Sequence, residues 1–418
     1  MTGAALQSGR DAVRINGARL LRRIADLGQV GAIEGGGVCR LALTDADRQG
    51  RDLVVQWMRE LGLVVTVDGI GNVVGLRAGR QAGPPVMTGS HIDTVRTGGR
   101  YDGNLGVLAG LEVIAALNDA GVVTERPIAV AFFTNEEGSR FAPDMMGSLV
   151  FQGGLPLADA LATIGIDGTS VRENLARIGY AGTAPTGNNE VHAFVELHVE
   201  QGPVLEHEGD TIGAVTGVQG IHWIEFTVQG VSNHAGTTPM ALRHDAGIVA
   251  ARIACHARDL AVASGGGQLA TVGQVNLFPN LINVIPNRAT FTLDLRNTDG
   301  EALRRAIACC LDYAARIAAQ EGVELSHRVL ADFAPVAFDE AIIGRVEEIA
   351  RRHGHRVRRL PSGAGHDAQM LARMCPTGMV FVPSVGGLSH NVAEFTHDKD
   401  IEAGAGVLLE LMLGLAEQ

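Results

Sequence analysis

The 418-residue chain is short of several features, and each shortage excludes a class of protein. Basic residues are outnumbered, because 34 Lys and Arg stand against 46 Asp and Glu, giving a formal net charge of -12. That balance argues against a nucleic-acid-binding role, which needs a basic surface. Lys399 is the only lysine, so the positive charge is nearly all arginine. No run of 18 or more apolar residues occurs, so we expect no membrane span.

The N-terminus lacks the apolar core of a signal peptide, since residues 1–28 place Asp11 and several arginines in a helical pattern instead. Cysteine is also scarce. The five cysteines are odd in number, scattered, and contain no Cys-x-x-Cys pair: Cys39, Cys255, Cys309, Cys310 and Cys375. Neither a disulfide framework nor a thiolate zinc site is supported. We therefore expect a cytoplasmic protein in a reducing compartment.

The first half of the chain alternates strand-like and helix-like stretches. The length predicts two domains, and 46% hydrophobic residues suit a globular protein. The stretch 127–134 is fully apolar, as in a central parallel strand, and 105–121 has helical periodicity. Further strands are predicted at 64–67, 72–78, 84–91 and 192–200. This order predicts an α/β fold with a mostly parallel sheet.

The pattern changes near residue 217. Residues 223–238 and 289–299 alternate like strands with one buried face, whereas 245–263 and 301–320 are typical of amphipathic helices. A strand–helix–strand–strand–helix set of this size predicts a small α+β domain. We therefore predict a larger α/β domain over 1–216 and 333–418, interrupted by an inserted domain over 217–332.

One glycine pair suggests a dinucleotide site. Gly69 and Gly71 follow a predicted strand, as in a Rossmann fingerprint. The residues after them favour another strand rather than a helix, so no helix N-terminus is available for a pyrophosphate. A hairpin turn is the better interpretation, and a dehydrogenase would rest on these two glycines alone.

Acids and histidines follow several predicted strands or lie in glycine-rich loops. Taken singly, each could be an ordinary turn or strand residue, since the chain has 14 histidines. Taken together, so many polar residues that are costly to bury favour one site at the carboxyl ends of the strands. Imidazole and carboxylate without cysteine suit zinc, manganese or cobalt. The candidates are His91, Asp93, Asp102, Glu136, Glu137, His198 and His390.

Seven motifs in order resemble the hydantoinase/carbamoylase branch of the M20 metallopeptidase-like amidohydrolases. They are GSHIDTV, YDGNLGV, TNEEGSRF, ELHVEQGPVLE, SNHAGTTPM, NVIPN and SGAGHDA. The branch includes N-carbamoyl-L-amino-acid hydrolases, β-ureidopropionases and allantoate amidohydrolases. The resemblance covers nearly the whole chain. It implies a catalytic domain with two metal ions and an inserted lid domain that also makes a homodimer.

The resemblance implies a ligand set. His91 and His198 would bind one metal ion, Glu137 and His390 the other, and Asp102 would bridge the two. Peptide-cleaving relatives usually carry a carboxylate at the position of His198, so a histidine there favours the carbamoylase side. The ions would be Zn²⁺ or Mn²⁺, with Co²⁺ or Ni²⁺ as alternatives. Asp93 would hold the free N–H of the His91 ring.

The resemblance also implies roles around the substrate. Glu136 would act as general base and acid. His234 would reach the oxyanion from the partner subunit. Asn283 and Arg296 would bind the substrate carboxylate, although Arg296 could equally form an ordinary salt bridge. Residues expected to line the pocket are Gln201, His366 and Asp367. The residues His222 and Trp223 have no role that the motifs assign.

We therefore expect a metal-dependent hydrolase of the ureido C–N bond of an N-carbamoyl-L-amino acid, acting on no nucleic acid or membrane. Allantoate and N-carbamoyl-β-alanine are the alternative substrates, and a plain acyl-amino acid stays open. A non-catalytic metal-binding protein is a further alternative. The intact set of predicted ligands and the candidate base Glu136 argue against it.

Overall fold

The computed structural model describes residues 13–187 and 189–418. Asp11 and the first part of the predicted N-terminal helical pattern lie outside the described residues. The chain divides into two compact units. One comprises the described residues up to Thr216 together with Ala337–Gln418, and the other is Gly217–Val336. Each unit is described separately.

The first unit is a layered α/β structure. Its helices are α1 Gly17–Gln29, α2 Asp45–Glu60, α3 Asn104–Asp119, α4 Met146–Phe151, α5 Leu157–Ala162, α6 Val171–Ile178, α7 Val204–Glu208, α10 Glu340–Arg352, α11 Asp367–Leu371 and α12 Asp398–Ala416. Its strands are β1 Val64–Val67, β2 Val73–Arg77, β3 Val86–His91, β4 Ile128–Phe133, β5 Ala193–Val199, β6 Ile212–Val218, β12 Val336–Ala337, β13 Val357–Ser362 and β14 Thr377–Val382. Strands β6 and β12 extend over the boundary with the second unit.

The strands of the first unit form one sheet whose centre is parallel. Among the described residues the order is β1-β2-β4-β3-β5-β14-β6-β12, with β13 beside β6. The neighbours β4 and β3, β3 and β5, and β5 and β14 are parallel, whereas β1, β2 and β6 pair in antiparallel fashion. Every residue of these four central strands is buried, which explains the continuous apolar run of β4. The predicted α/β class with a mostly parallel sheet is confirmed.

The glycine pair lies in a hairpin. Strands β1 and β2 pair in antiparallel register, and the Asp68 carboxylate accepts the N–H groups of Ile70 and Asn72 at 3.1 and 2.9 Å. Gly71 has a φ of 86°, which glycine adopts without strain. The turn therefore leads to a strand, as the sequence predicts, and no helix begins there.

The second unit is an antiparallel sheet covered by two helices. Its elements are β7 Gly220–Gln229, α8 Ala246–Ser264, β8 Leu269–Thr271, β9 Val275–Phe278, β10 Arg288–Asn297, α9 Gly300–Glu321 and β11 Glu324–Phe333. Within the described chain the strand order is β11-β7-β10-β8, with β9 also on β10. A core of alternate residues from β7 and β10 packs against α8 and α9.

Two features of this unit differ from the sequence expectation. Strand β11 was not predicted, and it continues to Phe333, one residue beyond the expected domain end at 332. Its residues are exposed or half-buried throughout, so it lacks the alternation that reveals a strand with one buried face. Between β7 and α9 the sequence predicted two strands where the structure has three.

None of the helices in the described part of the chain combines the length and the apolar character needed to cross a membrane.

Candidate metal centre

The parallel strands bring the predicted polar residues to one edge of the sheet. His91 is the last residue of β3, Glu136 and Glu137 follow β4, and His198 is the penultimate residue of β5. His390 lies in the loop after β14, and Asp102 lies in the loop before α3. Because parallel strands end at the same edge, residues some 300 positions apart converge there.

Asp102 lies between two groups of side chains. Its Oδ1 is 3.5 Å from His91 Nε2 and 3.2 Å from His198 Nε2. Its Oδ2 is 3.5 Å from His390 Nε2, which in turn is 3.2 Å from Glu137 Oε2. Each trio, His91–Asp102–His198 and Asp102–Glu137–His390, has its ligand atoms within 4.8 Å of one another. The Asp102 carboxylate thus directs one oxygen toward each trio, and each trio could hold one metal ion.

Main-chain carbonyls fix the tautomers of two of these histidines. His91 Nδ1 is 2.9 Å from the carbonyl of Asp93, and His198 Nδ1 is 2.9 Å from the carbonyl of Val199. Such contacts need a proton on Nδ1, so in the neutral ring Nε2 carries the lone pair. Gly103 N–H donates to Nε2 of His198 at 3.1 Å, in agreement with this tautomer. Both rings therefore present a ligating nitrogen toward Asp102.

Asp93 contacts His91 through its main chain, whereas its side chain has another task. The carboxylate accepts the N–H groups of Glu136 and Glu137 at 3.3 and 3.4 Å. The carbonyl faces the His91 ring because Asp93 is only two residues further along the chain, which leaves the carboxylate to hold the next loop. Burial raises the pKa of Asp93 to about 6. The spacing of the two residues in the sequence predicted that Asp93 contacts His91, but not that the contact is made by its main-chain carbonyl.

The two adjacent glutamates approach different histidines. Glu136 Oε2 is 3.4 Å from His91 Nε2, whereas Glu137 belongs to the trio with Asp102 and His390. Burial raises the pKa of Glu136 well above its usual value. The hydrogen bond to Glu137 raises the pKa of His390 to about 9. Burial opposes a charge on His91, yet the carboxylates around it, Glu136 foremost, raise its pKa well above the usual value.

These residues fit a pair of divalent cations. Buried carboxylates this close repel one another, so the raised pKa values of the Glu136 carboxyl and the His390 imidazole indicate a site that favours added positive charge. Gln201 points its Nε2 at Asp102 Oδ2, at 2.8 Å. Its buried Oε1 has no hydrogen-bond partner among the described residues. Imidazole nitrogens with carboxylate oxygens are the donor set that zinc and manganese accept.

A pocket opens over this centre. It has a volume of about 110 Å³ and contains Gln201 and His366, both predicted to line it. His366 Nε2 is 2.8 Å from Ser362 Oγ, and burial lowers the pKa of this imidazole well below its usual value, so the ring is neutral. The next residue, Asp367, is fully buried, and burial raises its pKa to about 8.

The predicted substrate residues His234 and Asn283 lie side by side in the second unit. The N–H of Ala235 donates to the Asn283 carbonyl at 2.9 Å, and His234 pairs with Val284 in an isolated bridge. The N–H of Gly236 donates to His234 Nδ1 at 3.0 Å. The neutral ring therefore carries its proton on Nε2, which makes this exposed histidine a hydrogen-bond donor.

Arg296 is engaged in an ion pair. Its Nε lies 3.1 and 3.0 Å from the two carboxylate oxygens of Asp294, the residue two positions earlier on the same face of β10. This is the salt bridge that the sequence left open as the alternative role. His222, which had no assigned role, is 3.0 Å from Asp332, and Trp223 is 40% exposed.

Three residues near the centre were not found by sequence reasoning. Asp144 lines the pocket, Ser389 Oγ donates to Asp102 Oδ2 at 3.1 Å, and Glu394 accepts the N–H of Asp102 at 3.1 Å. The sequence signal that could have found them is closeness to predicted site residues. Ser389 and Glu394 flank His390, and Asp144 shares a loop with Glu136.

Comparison with known proteins identifies the family of the chain. Residues 87–414 match the model of peptidase family M20/M25/M40, and the chain belongs to this family. It is 42% identical over 405 residues to an N-carbamoyl-L-amino-acid amidohydrolase of Rhizobium meliloti, covering 97% of both chains. An allantoate amidohydrolase of Escherichia coli K12 is 34% identical over 395 residues, covering 94% of this chain and 96% of the relative.

Solved structures identify the branch of the family. The crystal structure of a hydantoinase/carbamoylase family amidase from Burkholderia multivorans superposes with a TM-score of 0.95 at 49% identity. The alignment covers 97% of this chain and 99% of that one. The predicted resemblance to the hydantoinase/carbamoylase branch is confirmed.

Proposed function

We propose that the protein is a binuclear metal-dependent hydrolase of the ureido C–N bond of an N-carbamoyl-L-amino acid, releasing the amino acid, carbon dioxide and ammonia. The observation that carries the proposal is that the two oxygens of Asp102 face different histidines. Oδ1 faces His91 and His198, and Oδ2 faces His390. The 42% identical amidohydrolase of Rhizobium meliloti supports the substrate class.

We propose that the two trios that share Asp102 hold the two ions. His91 and His198 would bind one, Glu137 and His390 the other, with Asp102 as the bridge. The absence of cysteine from both trios favours Zn²⁺ or Mn²⁺. When bound, two such ions lower the pKa of water toward neutrality and polarise the carbonyl under attack.

Glu136 is the proposed proton carrier. It lines the pocket and belongs to neither trio, so its carboxylate is not needed as a cation ligand and can exchange a proton with water. It takes one proton from the attacking water as the oxygen bonds to the carbamoyl carbon. It then delivers that proton to the amino-acid nitrogen as the C–N bond breaks. The carbamate released decomposes to carbon dioxide and ammonia.

His234 is proposed to donate its Nε2–H to the oxyanion that forms at the carbamoyl oxygen. The support is its tautomer, since Nδ1 already accepts from Gly236. Asn283 and Arg296 are proposed to bind the substrate carboxylate, which a guanidinium can hold with two parallel hydrogen bonds. The substrate would then compete with Asp294 for Arg296.

A homodimer through the 217–336 unit is part of the proposal, with His234 acting on the partner's metal centre. Its support is the edge strand β11, where Val329 and Leu330 are 52% and 43% exposed. An uncovered edge with exposed apolar residues is suited to pairing with a second copy. A cytoplasmic location is also proposed, supported by five free cysteines.

The experiment that tests the function is a substrate panel. Protein stripped of metal and reloaded separately with Zn²⁺, Mn²⁺, Co²⁺ or Ni²⁺ would be given N-carbamoyl-L-amino acids, N-carbamoyl-β-alanine, allantoate and an N-acyl-amino acid. We expect the highest kcat/KM on an N-carbamoyl-L-amino acid. Preferred turnover of allantoate would move the assignment to the activity named for the 34% identical relative.

A further inference from the structure

A buried carboxylate outside the proposed ligand set connects the loop of Asp102 to the loop of His390. Glu394 is 5% exposed, and its Oε1 accepts the N–H of Tyr101 at 3.0 Å and the N–H of Asp102 at 3.1 Å. It lies four residues after His390 in the chain, yet it holds the main chain of a residue 292 positions away. The Glu394 side chain therefore joins the segment that carries Asp102, the proposed ligand common to both trios, to the segment that carries His390, a proposed ligand of one trio.

Further contacts make the connection specific. Ser389 Oγ donates to Asp102 Oδ2 at 3.1 Å, so the same two loops also meet at the carboxylate itself. The rings of Tyr101 and Phe395, each next in sequence to one of the joined residues, meet edge to face at 6.1 Å between centroids. A Cβ added at Gly99 would overlap the Glu394 carboxylate, so the close approach of the two loops requires glycine there.

We infer that Glu394 is a positioning residue that fixes the Asp102 carboxylate relative to His390, so that one carboxylate can serve two cations. Asp102 can bridge only if each oxygen is directed to its own trio, and a rotation of its main chain would displace both oxygens together. Glu394 holds the N–H of Asp102 itself and that of the residue before it, which fixes that rotation. The inference rests on the two-cation site proposed above.

The alternative is that Glu394 serves only to stabilise the fold. Glu112 offers the matched comparison. It is also buried, and it also accepts a backbone N–H, that of Asn16 at 2.7 Å, together with a hydrogen bond from the guanidinium of Arg19. It lies on α3 facing α1, away from the loops of the metal centre. Loss of either carboxylate removes buried hydrogen bonds, but only loss of Glu394 should alter cation binding.

The test compares Glu394→Ala, Glu394→Gln, Gly99→Ala and Glu112→Ala in the full-length protein after removal of metal. Zn²⁺ and Mn²⁺ affinities would be measured by calorimetric titration, and bound metal by elemental analysis after gel filtration. Circular dichroism would check the fold. Loss of a residue that orients a ligand typically weakens metal binding about 10–100-fold, which we expect for Glu394→Ala and Gly99→Ala. Glu394→Gln keeps an acceptor oxygen and should retain most of the affinity.

A second readout separates positioning from folding. Excess metal should restore the kcat of Glu394→Ala with little change in the KM for substrate, because the mutation weakens cation binding rather than substrate binding. Glu112→Ala should lose thermal stability and keep the metal affinity of the wild type. If Glu394→Ala binds two cations as tightly as the wild type, or if Glu112→Ala loses affinity equally, the inference is wrong. Wild-type protein that takes up no cation would overturn the proposed function itself.

Discussion

Glu136 and Glu137 are adjacent in the chain, yet their carboxylates approach different histidines. Glu136 Oε2 lies 3.4 Å from His91 Nε2, and Glu137 Oε2 lies 3.2 Å from His390 Nε2. Of the two glutamates, only Glu137 belongs to a trio whose ligand atoms all lie within 4.8 Å of one another. This separation supports the proposal that Glu136 transfers protons and that Glu137 binds metal.

The pair gives the first prediction. Glu136→Gln should lower kcat by about 10²–10⁴-fold with both metal ions retained, because the amide cannot take the proton from water. Glu137→Gln should lose metal from the His390 trio instead. Steady-state kinetics with metal analysis measures both effects, and Glu125→Gln, at an exposed ion pair with Arg80, is the control. Full activity of Glu136→Gln would remove that residue from the mechanism.

The shared carboxylate predicts a pattern of metal loss. His390→Ala should leave the His91–Asp102–His198 trio intact and reduce the bound metal to about one equivalent, whereas Asp102→Ala should weaken both sites. His192→Ala, outside both trios, should leave the metal content unchanged. Elemental analysis after gel filtration gives the stoichiometry. Equal metal loss in His390→Ala and Asp102→Ala would contradict a bridging role.

The titration of His390 predicts a proton-linked affinity. Its pKa of about 9 in the metal-free protein lies above the ordinary imidazole pKa of 6.5, so its ion pair with Glu137 stabilises the fold fully below pH 6.5. That stabilisation is lost as the pH rises through 9. A cation must displace the proton, so metal affinity should increase from pH 6 to pH 9.

Calorimetry in two buffers of different ionisation enthalpy measures this proton release. At pH 7.5 the wild type should release a proton that His390→Ala does not. Metal binding with the same buffer dependence in both proteins would show that His390 does not ligate.

Arg296 predicts a change in substrate affinity. Arg296→Lys cannot make two parallel hydrogen bonds to a carboxylate, so KM should rise about 10–100-fold, as the loss of a charge-assisted bond of about 1.5–3 kcal/mol implies, with a smaller effect on kcat. The control is Arg304→Lys, at an exposed ion pair with Glu301 on α9 of the same unit. An unchanged KM in Arg296→Lys would mean that its pair with Asp294 is structural only.

A fully buried ion pair near the site predicts a loss of stability. Arg51 and Asp47 are both buried and 2.7 Å apart, and Arg51 also donates to Thr134 Oγ1, two residues before Glu136. Asp47→Ala leaves the guanidinium without its counterion, so the free energy of unfolding should fall by about 3–5 kcal/mol. Denaturant unfolding measures it. Glu301→Ala, at an exposed pair, should cost at most about 1 kcal/mol.

The sequence predicted best what hydrophobic patterning dictates. The predicted strands 127–134 and 192–200 became the buried strands β4 and β5, and the polar residues at their carboxyl ends reached the same edge. Strand β11 escaped because both its faces remain exposed or half-buried. Hydrophobic patterning reflects burial, so a strand without a buried face shows no alternation of apolar and polar residues in the sequence.

The site residues show a second limit. Spacing placed Asp93 next to the His91 ring, but the contact uses a carbonyl, which every residue has, so its side chain gave no signal of it. Glu394 lies close to His390 in sequence, yet its partners are the N–H groups of Tyr101 and Asp102. Contacts to the main chain depend on the path of the chain, which residue type does not specify.

The most direct test of the account is hydrolysis of an N-carbamoyl-L-amino acid by protein with and without bound metal, with the amino acid and ammonia quantified together. We expect equal amounts of the two products, loss of turnover on chelation, and its return when two equivalents of a divalent metal are added. Undiminished turnover in fully chelated protein, or no hydrolysis of any ureido acid by protein carrying both ions, would contradict it.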